Sequence, residues 1–130
     1  MSDDSTSKGR AALEGRPVGL APGEKVPAPV RILASQHNLG ALRSIHRPAT
    51  WWCRIHFRGA AYLVFERGVV RSQKDGAQLR LFKVGQMRIM NTGDRTFLLD
   101  GPQGRIDCAP LQWSDGELLT EALSKWATSS

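Results

Sequence analysis

The stretch AYLVFERGVVR, residues 61–71, decides the fold class. It holds a run of five apolar residues, then Glu66, Arg67 and Gly68, then two valines. β-Branched and aromatic residues favour strands, and a glycine between two such runs is typical of a tight turn. The stretch therefore predicts two antiparallel strands, residues 61–66 and 69–71, joined at Arg67-Gly68.

Similar short runs continue along the chain in both directions, with turn residues between them. The turns include Lys74-Asp75-Gly76, whose Asp-Gly pair favours a tight hairpin, and the segment 91–94. A spacing of about ten residues between such runs is typical of an antiparallel β-meander. The predicted fold class is mainly β (α+β), a meander forming a small barrel or a strongly bent sheet, closed by a C-terminal α-helix. The other predicted strands are 30–34, 50–58, 79–84, 86–90, 95–99 and 105–108.

The predicted C-terminal helix spans about 115–127. Ser114 and Glu117 match a capping box, in which each side chain bonds to the other's backbone N–H. The apolar positions that follow recur at helical spacing, so this helix should pack on the sheet or plug the end of a barrel. They are Leu118, Leu119, Ala122 and Trp126, with Leu123 at the edge of the stripe.

Residues 1–47 show a weaker pattern of apolar and turn residues than the rest of the chain. Residues 1–29 are rich in glycine, serine and proline and predict a flexible arm, so that 30–127 forms a single β-rich domain. Residues 35–47 predict a short helix that begins at Ser35 and ends before Pro48.

Charge is distributed unevenly along the 130 residues, whose net charge is +6. Residues 25–99 hold thirteen basic and three acidic side chains, a net charge of +10, whereas residues 100–130 have a net charge of −3. Most of the basic side chains in the central segment are arginines, which bind phosphate through two nitrogens and stack on base planes. A concentrated cationic surface attracts polyanions.

The predicted strand 50–58 carries the candidate site. Alternation places Trp51, Cys53, Ile55 and Phe57 on a core face and leaves the other face exposed. An indole, guanidiniums and an imidazole in a row can stack bases and contact the phosphate backbone of a single strand. The predicted nucleic-acid-binding residues are Trp52, Arg54, His56 and Arg58 on this face, with Arg43, Arg47, Tyr62, Arg71, Arg80 and Arg88 on neighbouring elements.

Two other interpretations of the same residues remain open. The arginines could simply keep a sheet soluble, with some lying over aromatic rings as cation–π partners. Alternatively, the chain could be a protein-interaction or assembly module, with an acidic protein or a second copy docking on the Trp-rich strand or a sheet edge. The primary prediction is a small non-enzymatic protein that binds nucleic acid, preferably single-stranded DNA or RNA, or has a regulatory role.

The remaining residues exclude or disfavour other classes. No motif for nucleotide binding is present, and the three histidines stand nine and ten residues apart without a partner carboxylate. We therefore predict no catalytic residues, no metal and no cofactor. No apolar stretch is long enough to span a membrane. Cys53 and Cys108 lack the spacing of a disulfide framework, which together with the polar N-terminus indicates a cytoplasmic protein with free thiols.

Overall fold

The computed structural model describes residues 26–73, 78–93 and 95–127. Within them the chain forms seven strands, three α-helices and one short 3₁₀ turn. In chain order these are α1 (Ala28–Gln36), β1 (Leu42–His46), α2 (Trp51–His56), β2 (Ala61–Phe65), β3 (Gly68–Gln73), β4 (Gln78–Lys83), β5 (Arg88–Gly93), β6 (Thr96–Gly101), β7 (Gly104–Cys108), the 3₁₀ turn (Pro110–Gln112) and α3 (Gly116–Trp126).

The strands form two antiparallel sheets, and they do not close into a barrel. The first sheet has the order β1-β2-β3-β4 and the second the order β5-β6-β7. Each is a meander, in which every strand pairs with the next along the chain. The prediction of an antiparallel meander with a C-terminal helix is therefore confirmed, but its closure into a barrel is not.

The first sheet is buried on both faces, and this explains the continuous apolar runs of β2 and β3. Tyr62 and Val64 point into an inner core formed with the second sheet and α3. Leu63 and Phe65 point the other way, into an outer core formed with α1. A strand covered on both sides needs apolar residues at every position and not only at alternate ones.

The second sheet docks against the edge of the first through β4. The Leu81 N–H donates to the side-chain oxygen of Gln103 at 2.8 Å, and Nη1 of Arg80 donates to the carbonyl of Arg105 at 3.1 Å. A Cβ added at Gly101 would lie 3.1 Å from the Phe82 ring, so glycine permits this close approach. These contacts satisfy a polar strand edge that would otherwise be open.

The segment before β2 differs most from the prediction. The predicted strand 30–34 lies in helix α1, where Val30 and Ala34 are four residues apart and face the outer core. The predicted helix 35–47 contains only the end of α1 and then β1. The predicted arm, residues 1–29, falls for the most part outside the described residues, although α1 already begins at Ala28.

The predicted strand 50–58 is also wrong, because Trp51–His56 form helix α2. Strands 61–66, 69–71, 79–84, 95–99 and 105–108 are confirmed within two residues at each end, and 86–90 is displaced toward 88–93. The predicted Asp-Gly hairpin lies in 74–77, outside the described residues, although β3 and β4 on either side of it do pair antiparallel.

The C-terminal helix is confirmed, but its predicted cap is not. The N-terminal capping residue is Asp115, in the left-handed conformation and without a side-chain capping bond. The Ser114 hydroxyl instead accepts a hydrogen bond from the Arg47 N–H at 2.9 Å. Leu119 and Leu123 are the buried residues of the helix, and Ala122 and Trp126 pack against the same core while half-buried.

Candidate nucleic-acid interface

Helix α2 is held in place by the segments on either side of it. At its start, the Thr50 hydroxyl accepts a hydrogen bond from the Cys53 N–H at 3.2 Å, as a helix-capping residue does. Just before it, the Ala49 N–H donates to the carbonyl of Gln112 at 2.9 Å. Together with the Arg47–Ser114 bond, this ties the approach to α2 to the segment leading into α3.

Phe57 anchors the other end of α2 in the inner core. Its ring lies 5.2 Å from the ring of Trp113, which is almost fully buried. Trp113 in turn meets the Tyr62 ring edge-on at 4.7 Å. The end of the helix is therefore fixed by the contact of Phe57 with Trp113, which packs with Tyr62 in the inner core.

A buried arginine lies against these three aromatic rings. The guanidinium of Arg71 lies 4.7 Å from the ring centres of Tyr62 and Trp113 and 5.6 Å from that of Phe57. Its Nη1 donates to the Tyr62 hydroxyl at 2.8 Å, while its Nε has no hydrogen-bond partner among the described residues. Arg71 is only 6% exposed and Tyr62 is fully buried, so neither lies on the exposed face predicted from the sequence.

Four side chains form one row across the first sheet, on its inner face. From β1 to β4, each residue of the row pairs with the next: His46 with Tyr62, Tyr62 with Arg71, and Arg71 with Arg80. His46 is fully buried, with Nδ1 2.6 Å from the Ser114 carbonyl and Nε2 2.7 Å from the Ser44 hydroxyl. A carbonyl can only accept, so Nδ1 carries the proton and Nε2 accepts from Ser44.

Burial is the largest cause of the pKa shifts of His46 and Tyr62 in this row and of the neighbouring Cys108. It lowers the pKa of His46 below its ordinary value and raises the pKa of Tyr62 well above its usual range. It also raises the pKa of the Cys108 thiol to about 12. These three groups are therefore neutral at pH 7, and Arg71 is the buried cation of the row.

The outer face of α2 exposes large apolar side chains. Trp51 is 67% exposed, Trp52 63% and Ile55 55%. The two indoles meet edge-on at 5.1 Å, and Trp52 stacks on the His56 ring at 5.7 Å. Exposed aromatic side chains grouped in this way are typical of binding surfaces.

A groove of about 770 Å³ runs beside α2 on the outer face of the first sheet. We call it the α2 groove. Three arginines from the predicted site, Arg47, Arg54 and Arg58, line it, and no described lining residue is acidic. Arg54 and Arg58 are exposed and form no ion pair with any residue that the structure describes. The other described lining residues are Val26, Pro27, Ile45, Pro48, Trp51, Ile55, Phe57, Gly59, Ala60, Ala61, Leu63 and Ser72.

Three predicted arginines lie away from the α2 groove. Arg43 pairs with Glu66 at 3.1 Å near the far end of β1. Arg80 is half-buried and bonded to the second sheet, and Arg88 starts β5 in that sheet. The structure thus brings Arg47, Arg54 and Arg58 together in the α2 groove. Trp52 and His56 lie on the same helix and stack on each other, but they are not among the described lining residues of the groove.

Sequence reasoning missed Trp51 and Ile55, which it placed in the core. Both line the α2 groove and are more than half exposed. Cys53 and Phe57, four residues apart, are the only half-buried residues of the segment 51–58, as helical spacing requires. The signal that could have found this helix is Thr50, a residue that often caps helices, placed directly after Pro48 and Ala49.

Other kinds of site find less support in the described part of the chain. There, no three histidine, cysteine, aspartate or glutamate side chains gather as metal ligands. Cys53 and Cys108 are both free thiols. No described helix is long and apolar enough to cross a membrane. Comparison with protein-family models, curated proteins and solved structures finds no match for the chain.

Proposed function

We propose that this protein binds single-stranded nucleic acid through the α2 groove and the exposed face of α2. The observation that carries the proposal is the convergence of three arginines and an exposed indole on one groove without a carboxylate among its described lining residues. Guanidiniums bind phosphates, and indoles stack on bases of any sequence. Both halves of a nucleotide therefore meet suitable side chains.

The state of three other arginines strengthens this assignment. Arg43 and Arg67 share the carboxylate of Glu66, at 3.1 and 3.8 Å, and Arg71 is enclosed by aromatic rings. Those cations are already engaged within the fold. Arg54 and Arg58, exposed and without a described ion pair, keep their charge available to a polyanion.

The test is fluorescence anisotropy of a labelled single-stranded oligonucleotide, with binding measured as the salt concentration rises from about 50 mM. For a single strand, each phosphate contact contributes about −0.7 to the slope of log K against log salt, so contacts from Arg54 and Arg58 predict a slope of about −1.4. Arg54→Ala and Arg58→Ala should each reduce the slope by about 0.7. No anisotropy change at micromolar protein and low salt rejects the proposal.

Arg43→Ala is the matched control for these two variants. It removes the same charge from an exposed position, but from an arginine that is paired with Glu66 and lies outside the groove. Its slope should equal that of the unmodified protein. An equal effect of all three substitutions would indicate general electrostatic attraction and not a located site.

A second candidate function is a protein interface, and the exposed apolar face of α2 favours it. Three neighbouring apolar side chains more than half exposed can form the centre of an interface, with Arg54 and Arg58 attracting an acidic partner or another copy. Light scattering after size-exclusion chromatography distinguishes the two functions. A complex that is lost in Trp52→Ala, in a protein that binds no oligonucleotide, supports the interface.

A further inference from the structure

The floor of the α2 groove differs in chemistry from its rim. Ile45 and Leu63, both almost fully buried, lie on the sheet side of the groove and present hydrocarbon to it. Gly59, Ala60 and Ala61 also line it, and their small size leaves room above the sheet. The arginines are at exposed or half-exposed positions, so the groove combines an apolar floor with a cationic rim.

One polar group is present on the floor. Ser72 stands directly opposite Ala61 in the β2–β3 pairing, so both side chains are on the same face of the sheet, and both line the groove. Ser72 is only 4% exposed. A hydroxyl can donate and accept, so it can meet either kind of polar atom on a ligand that is otherwise flat and apolar.

We propose that the α2 groove takes an unpaired nucleobase into its apolar floor, with the adjoining phosphates on the arginine rim. This inference rests on the proposed function and makes it more specific. A nucleotide in a single strand offers two apolar base faces, polar base edges and an anionic phosphate linkage, and these match the apolar floor, Ser72 and the arginine rim respectively. The volume of about 770 Å³ lies within the range of small-ligand sites.

The same geometry makes the site selective for single strands. A base within a duplex is stacked and paired, and reaching a recessed floor requires that it leave the stack. Trp51, which lines the groove and is 67% exposed, is placed to stack on a base that enters. A ligand bound only through its backbone would meet the rim and leave the floor unused.

The experiment compares two labelled strands of equal length, one of thymidylate and one of abasic deoxyribose phosphate, by anisotropy. The unmodified protein should bind the thymidylate strand at least about tenfold more tightly, because base stacking is absent from the abasic strand. Ala61→Leu fills the floor without changing charge, so it should weaken binding of the thymidylate strand more than that of the abasic strand and remove most of this preference. Ala41→Leu, exposed and outside the groove, is the control and should retain the preference.

A second variant protects the test against misfolding of Ala61→Leu. Trp51→Ala removes an exposed side chain and should also reduce the thymidylate preference while the protein stays folded by circular dichroism. Equal affinity of the unmodified protein for the two strands overturns the base pocket but leaves the proposed function intact. An unchanged preference in both folded variants also overturns it. If neither strand binds, the proposed function itself fails.

Discussion

Replacing Arg71 by methionine tests whether its buried guanidinium stabilises the fold. Arg71 is 94% buried, contacts three aromatic rings, and forms no ion pair with a described residue. A buried charge is normally costly, and replacing one by a hydrophobic residue of similar size is often neutral or stabilising. Methionine matches the length of the arginine stem and packs well against rings, so it removes the charge without a large cavity.

The balance of the individual effects predicts a loss of stability. The variant loses a desolvated cation–π interaction, about 2 kcal/mol or more, and a charged hydrogen bond to Tyr62, about 1.5–3 kcal/mol. It also removes Nε, a buried donor without a described partner, and this relieves about 1–3 kcal/mol. The net expectation is that Arg71→Met lowers the free energy of unfolding by about 2 kcal/mol.

Urea denaturation followed by tryptophan fluorescence measures this difference, because Trp113 lies directly against the guanidinium. The midpoint should fall while the slope of free energy against urea stays unchanged. Arg71→Lys should be less stable than Arg71→Met, since an ammonium is more strongly hydrated and cannot stack on the rings. A methionine variant as stable as the unmodified protein would refute the reasoning and show that desolvation outweighs the ring contacts.

Three further predictions concern stability. Burial lowers the pKa of His46, so as the pH falls the unfolded chain protonates this histidine before the folded chain does. The free energy of unfolding should therefore be at its full value above about pH 6.5 and decline below it. Unfolding curves of His46→Gln should show a flatter pH dependence. A Cβ on Gly116 would collide with the Pro110 carbonyl, so Gly116→Ala should lower the urea midpoint by the equivalent of about 1–3 kcal/mol, and an unchanged midpoint contradicts this packing. Trp126 is half-buried against the inner core, so Trp126→Ala should destabilise by about 2 kcal/mol, less than the 3–5 kcal/mol of a fully buried indole.

The strands from residue 61 onward could be predicted because their signals are local. Apolar runs and turn residues act within a few positions, and the pairing of each strand with the next follows from short connections. The split into two sheets could not be predicted in this way. It depends on contacts distant in sequence, such as the Gln103 side chain on the Leu81 N–H and the close approach of Gly101 to Phe82.

The two mistaken strands share one physical cause. Short apolar segments fit a strand and a buried helix equally well, and the wider structure decides between them. In α1, Val30 and Ala34 are buried while Ile32, between them, is 57% exposed, which is helical spacing and not alternation. In α2, Cys53 and Phe57 satisfy both patterns, so only Trp51 and Ile55 distinguish them, and these are exposed.

Some residues of the candidate site could be named from the sequence, but their arrangement in space could not. Arginine and tryptophan content pointed to residues 52–58, and Arg54 and Arg58 do line one groove with Arg47. Tyr62 and Arg71 were misplaced because alternation identifies the two faces of a strand but not whether a second layer covers one of them. Here the second sheet and Trp113 cover that face, so its polar residues became part of the core.

The different environments of the arginines in the structure show why net charge alone cannot locate a binding surface. Of the cations in the basic central segment, Arg43 and Arg67 neutralise one carboxylate, and Arg71 supports the inner core. Each of these serves the fold, and their charge adds little at the surface of the α2 groove. A cation contributes to binding when it is exposed, lacks a carboxylate partner and lies beside a group that a ligand can stack on. Arg54 and Arg58 meet these conditions beside Trp51, and this favours the groove over the rest of the basic segment.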